Sequence, residues 1–175
     1  MKTLYISLIA ILIGGTAFTF IAADNWKSNT SDSNVSFSGG KVNGSFSGVQ
    51  SEAIIDDENP EKSSISATID ANSINTGNVT MDEHALSETG LNGAKFKTIS
   101  FQSKTVVKKD NQYFATGDLT LKGVTKSITI PFSFTSSGEN GELNGKFEVV
   151  PSEYGVTRGG TPSVATIGLK ISYKK

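Results

Sequence analysis

The sequence GDLTLKGVTKSITIPFSF occupies Gly117 to Phe134 and contains two runs in which apolar and polar residues alternate. The first run places Leu119 and Leu121 on one face, and the second places every second residue from Ile128 to Phe134 on one face. A period of two residues is typical of a β-strand with one buried side and one solvated side. Lys122-Gly123 separates the runs and predicts a turn. These residues therefore predict a hairpin with one apolar face.

The same alternation recurs along the chain, with turn residues between the runs. Short strands at this spacing are typical of a sandwich or a barrel, and closure into a barrel removes exposed strand edges. Thr80 to Ser87 is the one helix candidate, with Thr80 as its predicted cap. We therefore predict an all-β fold, an eight-stranded antiparallel barrel with one short helix insertion. The eight runs contain Val35, Val42, Ile65, Ile99, Tyr113, Ile128, Leu143 and Ile167.

The first residues have the layout of a secretory signal peptide. Lys2 supplies a positive start, Leu4 to Ile13 is almost uninterrupted apolar chain, and Ala17 to Ala23 ends in small residues. We predict a signal peptide over residues 1–23 and one domain over residues 24–175, which places the protein in the periplasm or outside the cell. An uncleaved membrane anchor is the alternative interpretation of the same segment. Cleavage would leave no stable membrane span.

The inventory of reactive side chains is small. The chain has no cysteine, which excludes disulfides and thiolate metal sites, and His84 is its single histidine. No serine lies in a nucleophile elbow of the Gly-x-Ser-x-Gly kind. The net charge is −1 for the whole chain, and without Lys2 it becomes −2, which gives no basic footprint for nucleic acid. We predict a protein that is not an enzyme and has no metal, no cofactor and no nucleic-acid partner.

The predicted barrel interior has two interpretations. An eight-stranded barrel is either filled by its side chains or holds one small ligand. Small residues mixed with phenylalanines favour space between aromatic walls, which suits an apolar chain, whereas the same residues packed together give a dry, filled core. The small candidates are Gly44, Gly48, Ala67, Ala71, Ala115, Gly117 and Gly145. The candidate lining residues are Phe37, Phe46, Ile69, Phe101, Ala115, Leu119, Leu121, Ile130, Phe132, Phe134, Phe147, Leu169 and Ile171.

Four segments, taken in order, resemble motifs of the YceI-like family. Ala71 to His84 contains ANSINTGN followed by MDEH, and Phe96 to Ser103 reads FKTISFQS. Gly117 to Phe134 resembles the family's Gly-x-Leu-Thr-x-Lys-Gly-Val-Thr-Lys hairpin and the proline-containing strand after it. Glu153 to Val156, EYGV, resembles its acidic-aromatic-Gly element. The resemblance covers roughly residues 26–175.

The resemblance implies a lipocalin-like antiparallel barrel with a lengthwise apolar tunnel. It implies export, no catalytic apparatus, and binding of a polyisoprenoid or a similar long-chain lipid as the ligand. We therefore expect a non-catalytic periplasmic carrier. The alternative is a structural or stress-related interaction barrel with a filled core and no ligand. Asp82, His84 and Tyr154 lie in the matching motifs and are candidates for the barrel mouth, where a headgroup would lie. The sequence is compatible with a homodimer.

The signal-peptide prediction has a direct test in the intact mass of the protein. Cleavage after Ala22 or Ala23 gives a mature chain that begins at Ala23 or Asp24. Mass spectrometry of protein taken from the periplasm should find one of these two species. A species that keeps Met1 or its neighbours would show that the segment serves as an anchor.

Overall fold

The computed structural model describes residues 24–175, and the predicted signal peptide, residues 1–23, lies outside the described residues. The described chain is all-β, with eleven strands and one α-helix. No helix in this part is long and apolar enough to cross a bilayer. The elements are β1 (Asp24–Ser28), β2 (Asn34–Gly39), β3 (Val42–Phe46), β4 (Gln50–Ile55), β5 (Ser64–Asp70), β6 (Ile74–Asn75), α1 (Val79–Leu86), β7 (Thr98–Lys109), β8 (Gln112–Leu121), β9 (Val124–Ser137), β10 (Asn140–Val149) and β11 (Ala165–Lys174).

The eleven strands occupy eight positions in a closed antiparallel barrel. β11 pairs with β10 along its whole length, and its other edge pairs first with β2 and then with β1. β1 and β2 are thus two parts of one position. β4 pairs with β1 and β3 with β2, while β5 pairs with β4 and β6 with β3, so these strands also form two split positions. The predicted eight-stranded barrel is confirmed, and each predicted run lies in its own position.

The interruptions in the split strands are held by local hydrogen bonds. Between β1 and β2, the buried Ser33 hydroxyl donates to the Asn29 carbonyl at 2.7 Å and accepts from the Ser172 amide at 3.1 Å. Between β3 and β4, Gly48 adopts a φ of +68°, which L residues with a side chain rarely adopt. The Ser33 hydrogen bonds and the backbone conformation of Gly48 thus define where β1 passes into β2 and β3 into β4.

Pro131 lies inside β9, at the point where β9 separates from β10. Within the described chain, the pairing of these two strands ends at Phe132 and Gly145. Because proline has no amide hydrogen, it fits where the ladder ends. On the part of β9 that is not paired with β10, Lys126 forms an ion pair of 2.8 Å with Glu153 of the 3-10 turn Pro151–Tyr154.

The helix begins one residue earlier than predicted and has a different cap. The Asn78 side chain accepts a hydrogen bond from the Met81 amide at 3.1 Å, so Asn78 is the N-cap and the predicted cap, Thr80, lies within the helix. The helix follows β6 and precedes β7, at the end of the barrel where β5 ends and β7 begins. We call this end the mouth.

Gly117 was predicted as a small residue facing the interior space, and the structure shows a different reason for its size. The β7–β8 ladder has an irregularity between Ser103 and Thr105, opposite Gly117. A Cβ added to Gly117 would lie 2.2 Å from the Gln102 carbonyl oxygen and 2.6 Å from the Ser103 Cα. The missing side chain therefore accommodates the main chain of β7 and leaves no space in the interior.

We predict that Gly117→Ala destabilises the barrel by about 1–3 kcal/mol, because the new methyl group overlaps rigid backbone. Gly159→Ala is the matched control, since a Cβ there meets no atom within 4 Å, and it should change stability by less than about 0.5 kcal/mol. Urea unfolding followed by circular dichroism measures both. Equal stabilities for the two variants would contradict this account of the β7 irregularity.

Candidate functional site

The barrel interior contains an apolar cavity of about 350 Å³ that opens at the mouth. It extends along β11, because Ala165 near the mouth and Tyr173 near the other end both line it. Twelve of the thirteen predicted residues line this cavity, and their role in binding a ligand stays a prediction. They are Phe37, Phe46, Ile69, Phe101, Ala115, Leu119, Leu121, Ile130, Phe132, Phe147, Leu169 and Ile171.

Phe134 is the predicted lining residue that lies outside the cavity. It faces the same side of β9 as Phe132, but it is one pleat farther from the mouth and packs with other aromatic residues. Its ring centroid lies 5.3 Å from that of Trp26 and 6.0 Å from that of Tyr173. We call Trp26, Phe134 and Tyr173 the aromatic plug, because they close this end of the cavity. Phe134 is therefore part of the end wall, and Trp26 was not predicted.

A second aromatic pair and a polar network support the closed end. Tyr113 and Phe132 stack with their ring centroids 5.1 Å apart. Outside the plug, Asp57 accepts hydrogen bonds from Lys108 and from the Tyr113 hydroxyl. The hydrogen bond from Lys108 is the main cause that lowers the pKa of Asp57, with the bond from Tyr113 next. The network joins the β4–β5 loop to β7 and β8, so the end wall is fixed to three parts of the chain.

One hydroxyl pair lies at the deep end of the cavity and is already satisfied. The Ser51 hydroxyl donates to the Ser66 carbonyl at 2.8 Å. Because this bond uses the one hydrogen of the serine, the Tyr173 hydroxyl is the donor to Ser51 Oγ, at 2.7 Å. Burial raises the pKa of Tyr173 to about 12. Ser51 has no basic side chain among its hydrogen-bond partners in residues 24–175. It is therefore a bonded core hydroxyl and not an activated nucleophile.

The three predicted mouth residues have different surroundings. His84 is exposed on α1 and lines the cavity. Asp82 does not line it, because its carboxylate accepts hydrogen bonds at 2.7 Å from both the amide and the hydroxyl of Thr76. Tyr154 is buried beneath the mouth in the 3-10 turn and does not line the cavity either. Asp82 thus holds Thr76, which does line the cavity.

The loop after Tyr154 forms one side of the mouth and was not predicted from the sequence. The amides of Thr157 and Arg158 donate to the Thr89 carbonyl at 2.8 and 3.0 Å. Lys122, in the β8–β9 turn, donates to the carbonyls of Glu88 and Gly155 at 2.8 and 2.7 Å. Residues 158–162 line the cavity. They have no alternating pattern, and the only signal in the sequence was that Arg158 is the single arginine of the chain.

The small residues predicted to leave space contribute less than expected. Only Ala67 and Ala115 line the cavity. At Gly44 the space is occupied by Phe37, whose ring lies 2.5 Å from where a Cβ would be, and at Gly145 the Pro131 carbonyl lies at 3.0 Å. The predicted glycines therefore do not create the cavity, and the glycines that do line it, Gly90, Gly159 and Gly160, lie in the segments around the mouth.

The lining chemistry fits an apolar molecule. Its residues are overwhelmingly aliphatic and aromatic, and no aspartate or glutamate of residues 24–175 lines it. Across the same residues, no group of three or more His, Asp or Glu side chains is placed to hold a metal ion. A preformed concave apolar site with a few polar groups at one end is the usual form of a small-molecule binding site.

Comparison with known proteins identifies the family. The family model of the YceI-like domain matches residues 26–173. The chain belongs to the YceI-like family. Its matched region includes every strand from β2 to β10 and most of β1 and β11, so the whole barrel is the YceI-like domain.

Curated relatives of this YceI-like chain align over part of their length. A UPF0312 protein of Yersinia pestis is 35% identical over 97 residues, which cover 55% of this chain and 50% of that protein. Protein YceI of Salmonella arizonae is 34% identical over 97 residues, which cover 55% of this chain and 51% of that protein. The chain spans about half the length of the curated relatives it matches.

Solved structures with low sequence identity share the YceI-like fold. BcnA of Burkholderia cenocepacia superposes with a TM-score of 0.77 at 18% identity, covering 83% of this chain and 98% of BcnA. A polyisoprenoid-binding domain from Saccharophagus degradans, implicated in plant cell wall breakdown, gives 0.67 at 14% identity and covers 85% and 97% of the two chains. These similarities establish the barrel architecture.

The raised pKa of Tyr173 makes the stability of the deep end sensitive to high pH. The folded-state pKa of about 12 lies above the ordinary value of 10.0, so the folded protein holds this proton more tightly than the unfolded chain. The stability linked to Tyr173 is therefore complete below pH 10 and is lost as pH rises towards 12. The loss amounts to about 2–3 kcal/mol when Tyr173 ionises.

The measurement compares the free energy of unfolding of the wild type and Tyr173→Phe across this pH range. Below pH 10 the variant should be less stable by about 1 kcal/mol, because the hydrogen bond to Ser51 is lost. Near pH 12 the order should reverse, since the variant has no hydroxyl to ionise. Parallel pH profiles for the two proteins would contradict the assignment.

Proposed function

We propose that this protein is a non-catalytic carrier that holds a long apolar chain, a polyisoprenoid or a similar lipid, inside the barrel. The observation that carries the proposal is the apolar cavity, which opens at the mouth and ends at the aromatic plug. An apolar cavity that takes up an apolar guest gains free energy in proportion to the apolar area removed from water. The cavity also argues against the alternative of a filled core.

The shape of the cavity supports a long guest. Ala165 and Tyr173 are eight residues apart on β11 and both line it, so it follows roughly 26 Å of strand at about 3.3 Å per residue. A flexible chain threaded along the barrel uses this length, whereas a compact molecule would contact only part of the wall. The description of the Saccharophagus degradans domain as polyisoprenoid-binding supports the same ligand class by similarity of fold.

The chemistry of the wall supports binding without turnover. Hydrolysis needs a nucleophile with a base in hydrogen-bond reach, and the Ser51 hydroxyl is instead bonded to a carbonyl and a tyrosine. His84 is exposed on α1, and no side-chain hydrogen bond of its imidazole is found within residues 24–175. The signal-peptide pattern of residues 1–23 supports a carrier that works in the periplasm or outside the cell.

Blocking the cavity should expel the ligand and leave the fold intact. Ala67 lines the cavity and is half-buried although it faces inward, so its methyl group borders open space. We predict that Ala67→Phe folds with near wild-type stability and loses the co-purified lipid. Thr68→Phe is the matched control, because Thr68 is the next residue of β5 and is exposed on the outer face. Mass spectrometry of organic extracts of each purified protein gives the amount of bound lipid.

Two outcomes would overturn the carrier proposal. The first is a wild-type protein that carries no lipid and takes up none when offered a long-chain isoprenoid, which would favour the interaction barrel. The second is Ala67→Phe that keeps lipid at the wild-type amount, which would place the site elsewhere. Ala115→Phe is a less suitable test, since Ala115 is only 1% exposed and a larger side chain would overpack the wall.

A further inference from the structure

Arg158 has a singular position at the mouth. It is the only arginine in the chain, and it is the only side chain with a permanent charge among the described residues that line the cavity. The lining contains no carboxylate from residues 24–175 to balance it. The cavity is therefore apolar along its length and positive at its open end.

The guanidinium of Arg158 has no protein partner in the described chain. No carboxylate of residues 24–175 lies within 4.0 Å of this guanidinium, and it makes no side-chain hydrogen bond with these residues. The neighbouring cations differ in this respect, because Lys126 pairs with Glu153 and Lys122 is bonded to two carbonyls. Arg158 is half-buried and lines the cavity, and its guanidinium carries five N–H donors, none of which bonds to a side chain or carbonyl of residues 24–175.

The backbone around Arg158 is fixed rather than loose. Its own amide and that of Thr157 donate to the Thr89 carbonyl, and its carbonyl accepts from the Thr161 amide at 3.0 Å. Lys122 ties the preceding Gly155 to Glu88, in the segment that follows α1. His84 of α1 lines the same cavity. The loop therefore holds a cationic group where the end of a threaded chain would emerge.

We propose that the ligand is an amphiphile with an anionic head, a phosphate or a carboxylate, and that Arg158 is the residue that receives this head. The inference rests on the proposed carrier function and adds the chemistry of the ligand's polar end. A guanidinium binds a phosphate or carboxylate through two parallel N–H···O bonds, which a neutral alcohol cannot accept in the same way. The apolar wall holds the chain, and Arg158 selects the head.

The test uses two ligands with the same chain and different heads. Delipidated protein is titrated with geranylgeranyl monophosphate and with geranylgeraniol, each below its aggregation concentration, and the dissociation constants are measured by calorimetry. The wild type should bind the phosphate about tenfold or more tightly than the alcohol, as expected for a charged hydrogen-bonded pair. Oleate and oleyl alcohol are compared in the same way to test a carboxylate head. Tighter binding of the charged ligand in either pair supports the proposal.

Two variants of equal net charge locate the effect. Arg158→Gln should remove most of the preference for the anionic head while it changes the affinity for the alcohol by less than about threefold. Lys41→Gln is the matched control, because Lys41 is exposed beside the lining residue Val42 but does not line the cavity. It should keep the wild-type preference.

The outcomes separate the two proposals. Equal binding of both heads in both pairs would overturn the anionic-head inference and leave the carrier intact. A preference that survives Arg158→Gln would overturn the role of Arg158. Loss of the preference in Lys41→Gln to the same extent would assign it to overall charge and overturn the inference as well. Failure of all four ligands to bind would overturn the carrier function itself.

Discussion

The pairing of β11 on both of its edges is the constraint on which the rest of the structure depends. One edge meets β10 over ten residue pairs, and the other is divided between β2 and β1. This divided edge closes the sheet of residues 24–175 into a barrel, and closure removes the two outer edges that an open sheet would present to another chain. It also fixes the barrel's circumference at eight positions, a size at which the interior is either just filled or holds one ligand. In this protein the wall is set by backbone pairing, and the side chains inside it do not fill the space.

The two ends of the barrel are built differently, and this gives the cavity a direction. The aromatic plug and the Asp57 network close the end where β1 begins and β11 finishes. At the mouth, the space is bordered by α1 and by a loop whose backbone bonds to the Thr89 carbonyl. In the proposed carrier, a lipid chain enters from the mouth with its apolar end first, because the other end is closed. The proposed anionic head then stays beside Arg158 and water, where desolvation of a charged group costs least.

The alternation of residues was sufficient to predict the eight barrel positions, the sheet type and the inward face of most lining residues, because a period of two leaves little freedom in which side is buried. It was insufficient to predict where the cavity ends. Phe132 and Phe134 have the same pattern, yet only Phe132 lines the cavity, because the boundary depends on Trp26 approaching from β1. Trp26 lies in a five-residue strand next to the predicted cleavage point and was not recognised as a strand residue.

The role of the glycines was not predictable for a related reason. The sequence does not say whether a missing side chain leaves space for a ligand, for an aromatic ring or for a neighbouring main chain. Gly44 makes room for a ring, and Gly117 makes room for main chain.

The mouth was the least predictable part because its residues act through backbone contacts that have no sequence pattern. Asp82 and Lys122 both have charged side chains, but each is used to hold main chain: Asp82 holds Thr76, and Lys122 joins Glu88 to Gly155. Arg158 remains as the one side chain with a permanent charge among the described residues that line the cavity. In the proposed carrier, the affinity for the ligand and the selectivity between ligands have separate origins. The wall supplies non-directional stabilisation that grows with the length of the guest chain, and it discriminates poorly between similar chains. In the proposed carrier, the guanidinium of Arg158 contributes little contact area but distinguishes charged from neutral heads, so the proposed choice of ligand depends on a loop that the strand pattern does not reveal.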